Sequence, residues 1–278
     1  MSVRIVQSKQ NERLKELRRA LRDDGTGASG LVAIEGPNLL AEAQRAGLSL
    51  VRVFVAQEST HLLDPLSPGP KTEVLLVPRD LLCSTLATET PQPIAALVEP
   101  PAWAWENLLC SHPSNAPLLL VLCGLQDPGN VGTILRSAEA FGSAGVVALP
   151  GTVSVWNQKA VRASAGSVFR VPVVRASLDE CFSRMQREGV KAWAAAVRNA
   201  KPVADVALDQ PVALLIGNEG NGVPAEVMAK VDGAITIPCP GPVESLNAAV
   251  ATSILLYEAA RQRAEAARAS HKSRASRG

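Results

Sequence analysis

Six polar side chains stand close to glycines in three turns. They are Asn130 and Arg136 in "CGLQDPGNVGTILRSAEAFG", Asn218 and Glu219 in "IGNEGNGVP", and Ser245 and Asn247 in "IPCPGPVESLN". Their types limit the chemistry. The histidines are His61, His112 and His271, so no imidazole base exists between Pro113 and Ser270. A Ser-His-Asp hydrolase is therefore not spelled here, and with no His or Cys pair the set makes a poor metal site. What is present can bind and orient: a guanidinium suited to phosphate, a carboxylate, amides, a hydroxyl, and glycines that let backbone approach a ligand closely.

Spacing narrows the ligand. The dinucleotide fingerprint G-x-G-x-x-G is not matched, because "DPGNVGT" has the wrong intervals, and no G-K-[ST] phosphate loop occurs. Three glycine turns in one domain still favour a nucleotide-like ligand at the carboxyl ends of strands.

The elements that must position these turns follow from hydrophobic pattern. "LLLVLCG", "GVVALPG", "VPVV", "VKAWAAAV", "VALLIGNEG" and "GAITIPCPG" are continuous apolar runs, the signature of strands covered on both faces of a parallel sheet. Helical stretches such as "VGTILRSAEAFG" and "LDECFSRMQREG" lie between them, giving a βα-alternating domain. Before it, a helix over 11–21, strands "GLVAIEG", "LVRVFVA" and "EVLLVP", and a helix in "PNLLAEAQRAG" make a small α/β unit. The domains expected are 1–98, a linker at 99–117, a second domain at 118–264, and a disordered basic tail at 265–278. In "GPVESLNAAVATSILLYEAARQR", Ser245 is the expected N-cap of a buried helix.

Composition is that of a globular protein: 278 residues, 47% hydrophobic and 19% charged. No apolar run approaches the roughly 20 residues of a membrane span, and the first residues are charged where a signal peptide is apolar. A cytoplasmic protein is expected. Cys83, Cys110, Cys123, Cys181 and Cys239 are scattered and read as buried free thiols. Residues 1–22 carry Arg4, Lys9, Arg13, Lys15, Arg18, Arg19 and Arg22 against Glu12 and Glu16, and 261–278 carry Arg261, Arg263, Arg268, Lys272, Arg274 and Arg277 against Glu265. Basic ends on an acidic body are either arms for a polyanion or solvated surface charge.

The three turns together carry a resemblance. "DPGNVGTILRSAEAFG", "LLIGNEGNGVP" and "IPCPGPVESLNAAVA" resemble, in order and spacing, the motifs of the SpoU (TrmH-type) RNA ribose 2′-O-methyltransferases, over about Leu118 to Arg263. "VAIEGPNLLAEA" and "ETPQPIAAL" are similar to a ribosomal-protein-like RNA-binding domain, with Pro93 where glycine is common. The resemblance implies an α/β SPOUT fold with a parallel sheet and a deep C-terminal trefoil knot, a homodimer, and S-adenosylmethionine as cofactor. It implies cofactor contacts at Gly217, Ile237 and Leu246, with Asn218 and Gly220 beside them, and no metal.

It further implies catalytic roles for Arg136, Asn130, Glu219, Ser245 and Asn247. Arg136 either places RNA through phosphate or acts as the base, a role its permanent charge makes awkward. Glu219 would anchor that arginine or the RNA. Lys159, Arg162 and Ser164 resemble a segment flanking the RNA face, or else form a solvated helix. With one Tyr, four Phe and four Trp there are few stacking platforms, so RNA binding should rest on charge and weaken with salt. Ribosomal RNA is the expected substrate and transfer RNA the alternative. The rival classes are a non-catalytic RNA-binding protein on the same fold and a nucleotide-dependent oxidoreductase.

Overall fold

The computed structural model describes residues 2–22, 29–86, 88–109 and 116–275, with side chains through residue 269. Residues 110–115 of the expected linker, including Cys110 and His112, lie outside the described residues. So do Arg277 and the side chains of His271, Lys272 and Arg274. The chain forms two compact units. One runs to Ala102 and includes Ser154–Arg170; the other is Trp103–Val153 with the chain from Val171 onward.

In the first unit, β1 (Ser2–Ile5), β2 (Val32–Glu35), β3 (Leu50–Ala56), β4 (Glu73–Val77) and β5 (Ile94–Val98) form one sheet in the order β1-β4-β3-β5-β2. The β1–β4 and β3–β4 pairs are parallel and the two pairs made by β5 antiparallel. Helix α1 (Glu12–Arg22) buries Leu14, Leu17, Ala20 and Leu21 in a core with Phe54, Leu75 and Leu97, a helical spacing that puts all four on one face. Helices α2 (Pro37–Arg45) and α3 (Arg79–Cys83) complete the early part of the unit, and α6 (Gln158–Ser164) lies in its later segment. Part of the N-terminal basic charge is already paired at the surface. Arg13 and Arg4 pair with Glu73, and Lys15 pairs with Glu12, leaving less for a polyanion than the sequence count suggests.

The expected second domain at 118–264 is not continuous, because Ser154–Arg170 packs into the first unit. Strand β2 sits at the sheet edge, where free carbonyls need partners, and Gln158 Nε2 donates to Ala33 O at 2.8 Å. Arg170 pairs with Glu42 at 2.7 Å. Gly166, at φ +93°, lies so close to Glu42 that an added Cβ would stand 2.7 Å from the Glu42 Cβ. Gly166→Ala therefore combines left-handed strain with a clash, and is expected to cost ~2 kcal/mol, read as a lower urea midpoint for the first unit.

The second unit is built on seven strands: β6 (Leu118–Cys123), β7 (Gly145–Ala148), β8 (Val173–Arg175), β9 (Lys191–Ala195), β10 (Lys201–Pro202), β11 (Val212–Gly217) and β12 (Gly233–Thr236). All pairs are parallel and the order is β10-β12-β9-β11-β6-β7-β8. Every residue of β6 is buried, as are Val212–Ile216 of β11, in line with the continuous apolar runs. One face carries α4 (Trp105–Leu109), α7 (Leu178–Arg187) and α8 (Ala225–Met228) over Leu119, Val121, Ala213 and Leu215. Helix α5 (Pro128–Ala140) packs along α9 (Ala248–Ala275), and α9 against β11.

Two further expectations change. Within the expected linker, Trp105 and Leu108 are buried and the Trp105 indole donates to Glu180 at 2.8 Å, so α4 belongs to the second unit. The expected disordered tail is helical through Ala275, because "RAEAARA" consists of strong helix formers and Arg261 pairs with Glu258 and Glu265 on that helix. Arg263 is also turned inward, donating to the carbonyls of Leu208, Gln210 and Ala116.

Candidate active site

The parallel sheet brings three loops to its carboxyl edge, after β6, β11 and β12. Strand β11 is inserted between β9 and β6, so chain order and sheet order part company there, the place where open α/β sheets bind ligands.

The loop after β6 starts at Gly124, at φ +73°, and reaches Asp127, whose side chain caps α5 by accepting from the Gly129 amide at 2.8 Å. Asn130 follows in the first turn and is buried. Arg136 lies on the outer side of α5, exposed, and among the described residues takes no hydrogen-bond or ion-pair partner.

The loop after β11 turns back at once. Asn218 and Gly222 exchange two backbone hydrogen bonds of 3.0 and 2.9 Å, and a Cβ at Gly217 would overlap the backbone of Gly222 and Val223. No other residue fits at 217. The Asn218 side chain accepts from the Gly220 amide at 2.8 Å and donates to Gly124 O at 2.9 Å, tying the second loop to the first.

The loop after β12 begins at the half-buried Ile237 and ends at Asn247. Here the expected cap is corrected. Ser245 is exposed, and its hydroxyl takes no partner among the described residues. Asn247, directly before α9, accepts from the amides of Ala249 and Val250 at 2.9 and 3.2 Å. With its oxygen so engaged, the Asn247 amide points its nitrogen to Asn130 Oδ1 at 3.0 Å, and Asn130 Nδ2 donates to Glu219 Oε1 at 2.6 Å. One chain of hydrogen bonds thus joins all three loops, and its direction is fixed by the helix cap.

The structure gathers Asn130, Asn218, Glu219 and Asn247 by direct bonds, with Gly217, Ile237 and Leu246 on the same loops. Glu219 anchors Asn130 rather than Arg136. Ser164 is wholly buried and donates to Val161 O at 2.8 Å, so it is no part of a surface, whereas Lys159 and Arg162 are exposed. Of the thiols, Cys123 and Cys181 share the core, where burial pushes both up to about 12; Cys239 is exposed. The sequence reading missed Thr152, which lies outside the glycine motifs and bonds to Gly124.

Known proteins resemble this chain in sequence and fold. Residues 117–257 match the SpoU rRNA Methylase family. The 23S rRNA (guanosine(2553)-2'-O)-methyltransferase RlmP of Bacillus subtilis is 33% identical over 252 residues, covering 91% of this chain and 97% of that protein. The chain belongs to the SpoU rRNA methylase family. This SpoU methylase also shares its fold with solved relatives. AviRb from Streptomyces viridochromogenes, crystallised with AdoMet, is 28% identical with a TM-score of 0.80 over 91% of this chain and 98% of that one. An AdoMet-bound rRNA methyltransferase from Sinorhizobium meliloti is 28% identical, with a TM-score of 0.81 over 93% and 98%. S-adenosylmethionine is the family's methyl donor, and the missing side chain at Gly217 is what lets the loop after β11 fold back onto Gly222 and Val223.

Asn247→Ala removes both the cap and one end of the hydrogen-bond chain. Loss of a cap costs about 1 kcal/mol, while displaced loops should lower methyl transfer about tenfold or more. Thermal unfolding and turnover measured on one preparation check that the second loss exceeds the first.

Proposed function

We propose that this SpoU methylase transfers a methyl group from S-adenosylmethionine to a ribose 2′-hydroxyl of ribosomal RNA. The observation that carries the reading is the single hydrogen-bond chain Asn247–Asn130–Glu219, which fixes the three family loops around one place at the sheet's carboxyl edge. Bound S-adenosylmethionine supplies an electrophilic methyl on a sulfonium. Backbone at Gly217, Ile237 and Leu246 holds it, with Asn218 and Gly220 shaping the turn. Asn130, Glu219 and Asn247 keep the floor of the site fixed, and Ser245, exposed at the mouth, orients the incoming ribose.

Arg136 binds RNA phosphate and sets the ribose in line. Its exposure, and the absence of a hydrogen-bond or ion-pair partner among the described residues, support that role, as a guanidinium held by a carboxylate would be spent. Because a guanidinium keeps its proton near neutral pH, positioning is the role assigned here and proton removal is not.

The first unit is read as the RNA-recognition domain, with the exposed Lys159 and Arg162 extending its basic surface. We read the C-terminal segment as threaded into the family's trefoil knot, a reading that rests on the family match over residues 117–257. We read the active form as a homodimer. Val250, Ile254 and Tyr257, exposed at helical spacing on α9, line with Thr133 and Phe141 an apolar groove of about 320 Å³, a face that a second copy would cover. Among the described residues no helix is long and apolar enough to cross a membrane; with ribosomal RNA as substrate, we read the enzyme as working in the cytoplasm.

Incubating the chain with methyl-labelled S-adenosylmethionine and either ribosomal or transfer RNA tests the substrate. Label in ribosomal RNA alone is expected. Label in transfer RNA alone replaces the substrate, and cofactor binding with no transfer to any RNA makes the chain a binding protein.

A further inference from the structure

Gly124 is the first residue beyond β6, and the strands on either side of β6 both reach it. From β11 comes Asn218, whose Nδ2 donates to Gly124 O at 2.9 Å. From the loop after β7 comes Thr152, whose Oγ1 accepts from Gly124 N at 3.1 Å and donates to Leu122 O at 2.9 Å. Val153 N donates to Leu125 O at 2.8 Å, extending the same junction by one step. The two loops meet at glycines: Gly151 stands at φ +83° and Gly124 at φ +73°, and a Cβ at Gly151 would lie 3.5 Å from Gly124 Cα.

We infer that Thr152 is a positioning residue for cofactor binding: its hydroxyl fixes Gly124, Gly124 fixes Asn218, and Asn218 fixes the turn at Gly217. The inference rests on the reading that S-adenosylmethionine sits in that turn. Leu122 O keeps a second donor, Leu149 N at 3.0 Å, so removing the hydroxyl chiefly strands the Gly124 amide. A stranded amide moves to find water, and the carbonyl that orients Asn218 moves with it. The contact is thus worth more to the shape of the site than to the strand it closes.

Four single variants and one double variant of the full chain test this, each titrated with S-adenosylmethionine by calorimetry and assayed for kcat and for KM toward RNA. Thr152→Val is expected to weaken the cofactor about tenfold, near the 1.4 kcal/mol of one well-placed hydrogen bond, with KM for RNA unchanged. Thr152→Ser, which keeps the oxygen, restores wild-type affinity. Asn218→Ala weakens binding, and the Thr152→Val/Asn218→Ala pair loses no more than the worse single change, because both act through Gly124. Wild-type affinity in Thr152→Val, an equal loss in Thr152→Ser, or losses that multiply in the pair each overturn the inference. If Asn218→Ala binds less tightly while Thr152→Val does not, the inference fails alone. If both variants and Gly217→Ala all bind as wild type, the cofactor lies elsewhere and the reading beneath the inference fails too.

Discussion

Arg136→Ala is expected to lower methyl transfer by about a hundredfold or more while leaving cofactor affinity and melting temperature near wild type. The side chain is exposed on α5 and takes no hydrogen-bond or ion-pair partner among the described residues, so stability has little to lose. Transfer has much to lose, since a misplacement of about 1 Å at the reacting atoms costs about a hundredfold. The conservative variant separates the possible roles. Lysine keeps the charge but lacks the two-pronged geometry of guanidinium, so Arg136→Lys should recover part of kcat with a raised KM for RNA. Wild-type turnover in Arg136→Ala removes the arginine from the mechanism, and a collapsed kcat with unchanged RNA binding in both variants makes it the base.

Gly217→Ala is expected to abolish cofactor binding. The single methyl would occupy backbone of Gly222 and Val223, so the Asn218–Gly222 bridge must open. Opening it releases Asn218 from Gly124 and shifts Glu219 away from Asn130. The body of the sheet is not touched, because β11 is anchored on both sides through residues 212–215. Far-UV circular dichroism should therefore stay close to wild type while calorimetry with S-adenosylmethionine shows no heat. Intact binding in this variant would mean that the turn is not the cradle.

These expectations draw on different depths of legibility. The parallel sheet was readable because strands covered on both faces must be apolar along their whole length, as "LLLVLC" and "VALLI" are. The order of the strands was not, since nothing local in residues 212–217 says that they enter between β6 and β9. The site residues were readable through family-like motifs, but their bonding was not. Ser245 and Asn247 are both good caps, and only the position of α9 decides for Asn247. Ser154–Arg170 was assigned to the wrong unit because its ties, Gln158 to Ala33 and Arg170 to Glu42, span more than 120 residues of chain. The share of the basic ends that is already paired was not readable, because a charge total does not say which arginines have acidic partners.

The claim beneath the whole account is methylation of a ribose oxygen. Ribosomal RNA labelled by the enzyme can be hydrolysed to completion in alkali, a cleavage that requires a free 2′-hydroxyl next to each phosphate. The label is expected to survive in an alkali-resistant dinucleotide, because the methylated oxygen cannot attack its phosphate. Label released wholly in mononucleotides, carried on a base, would contradict it.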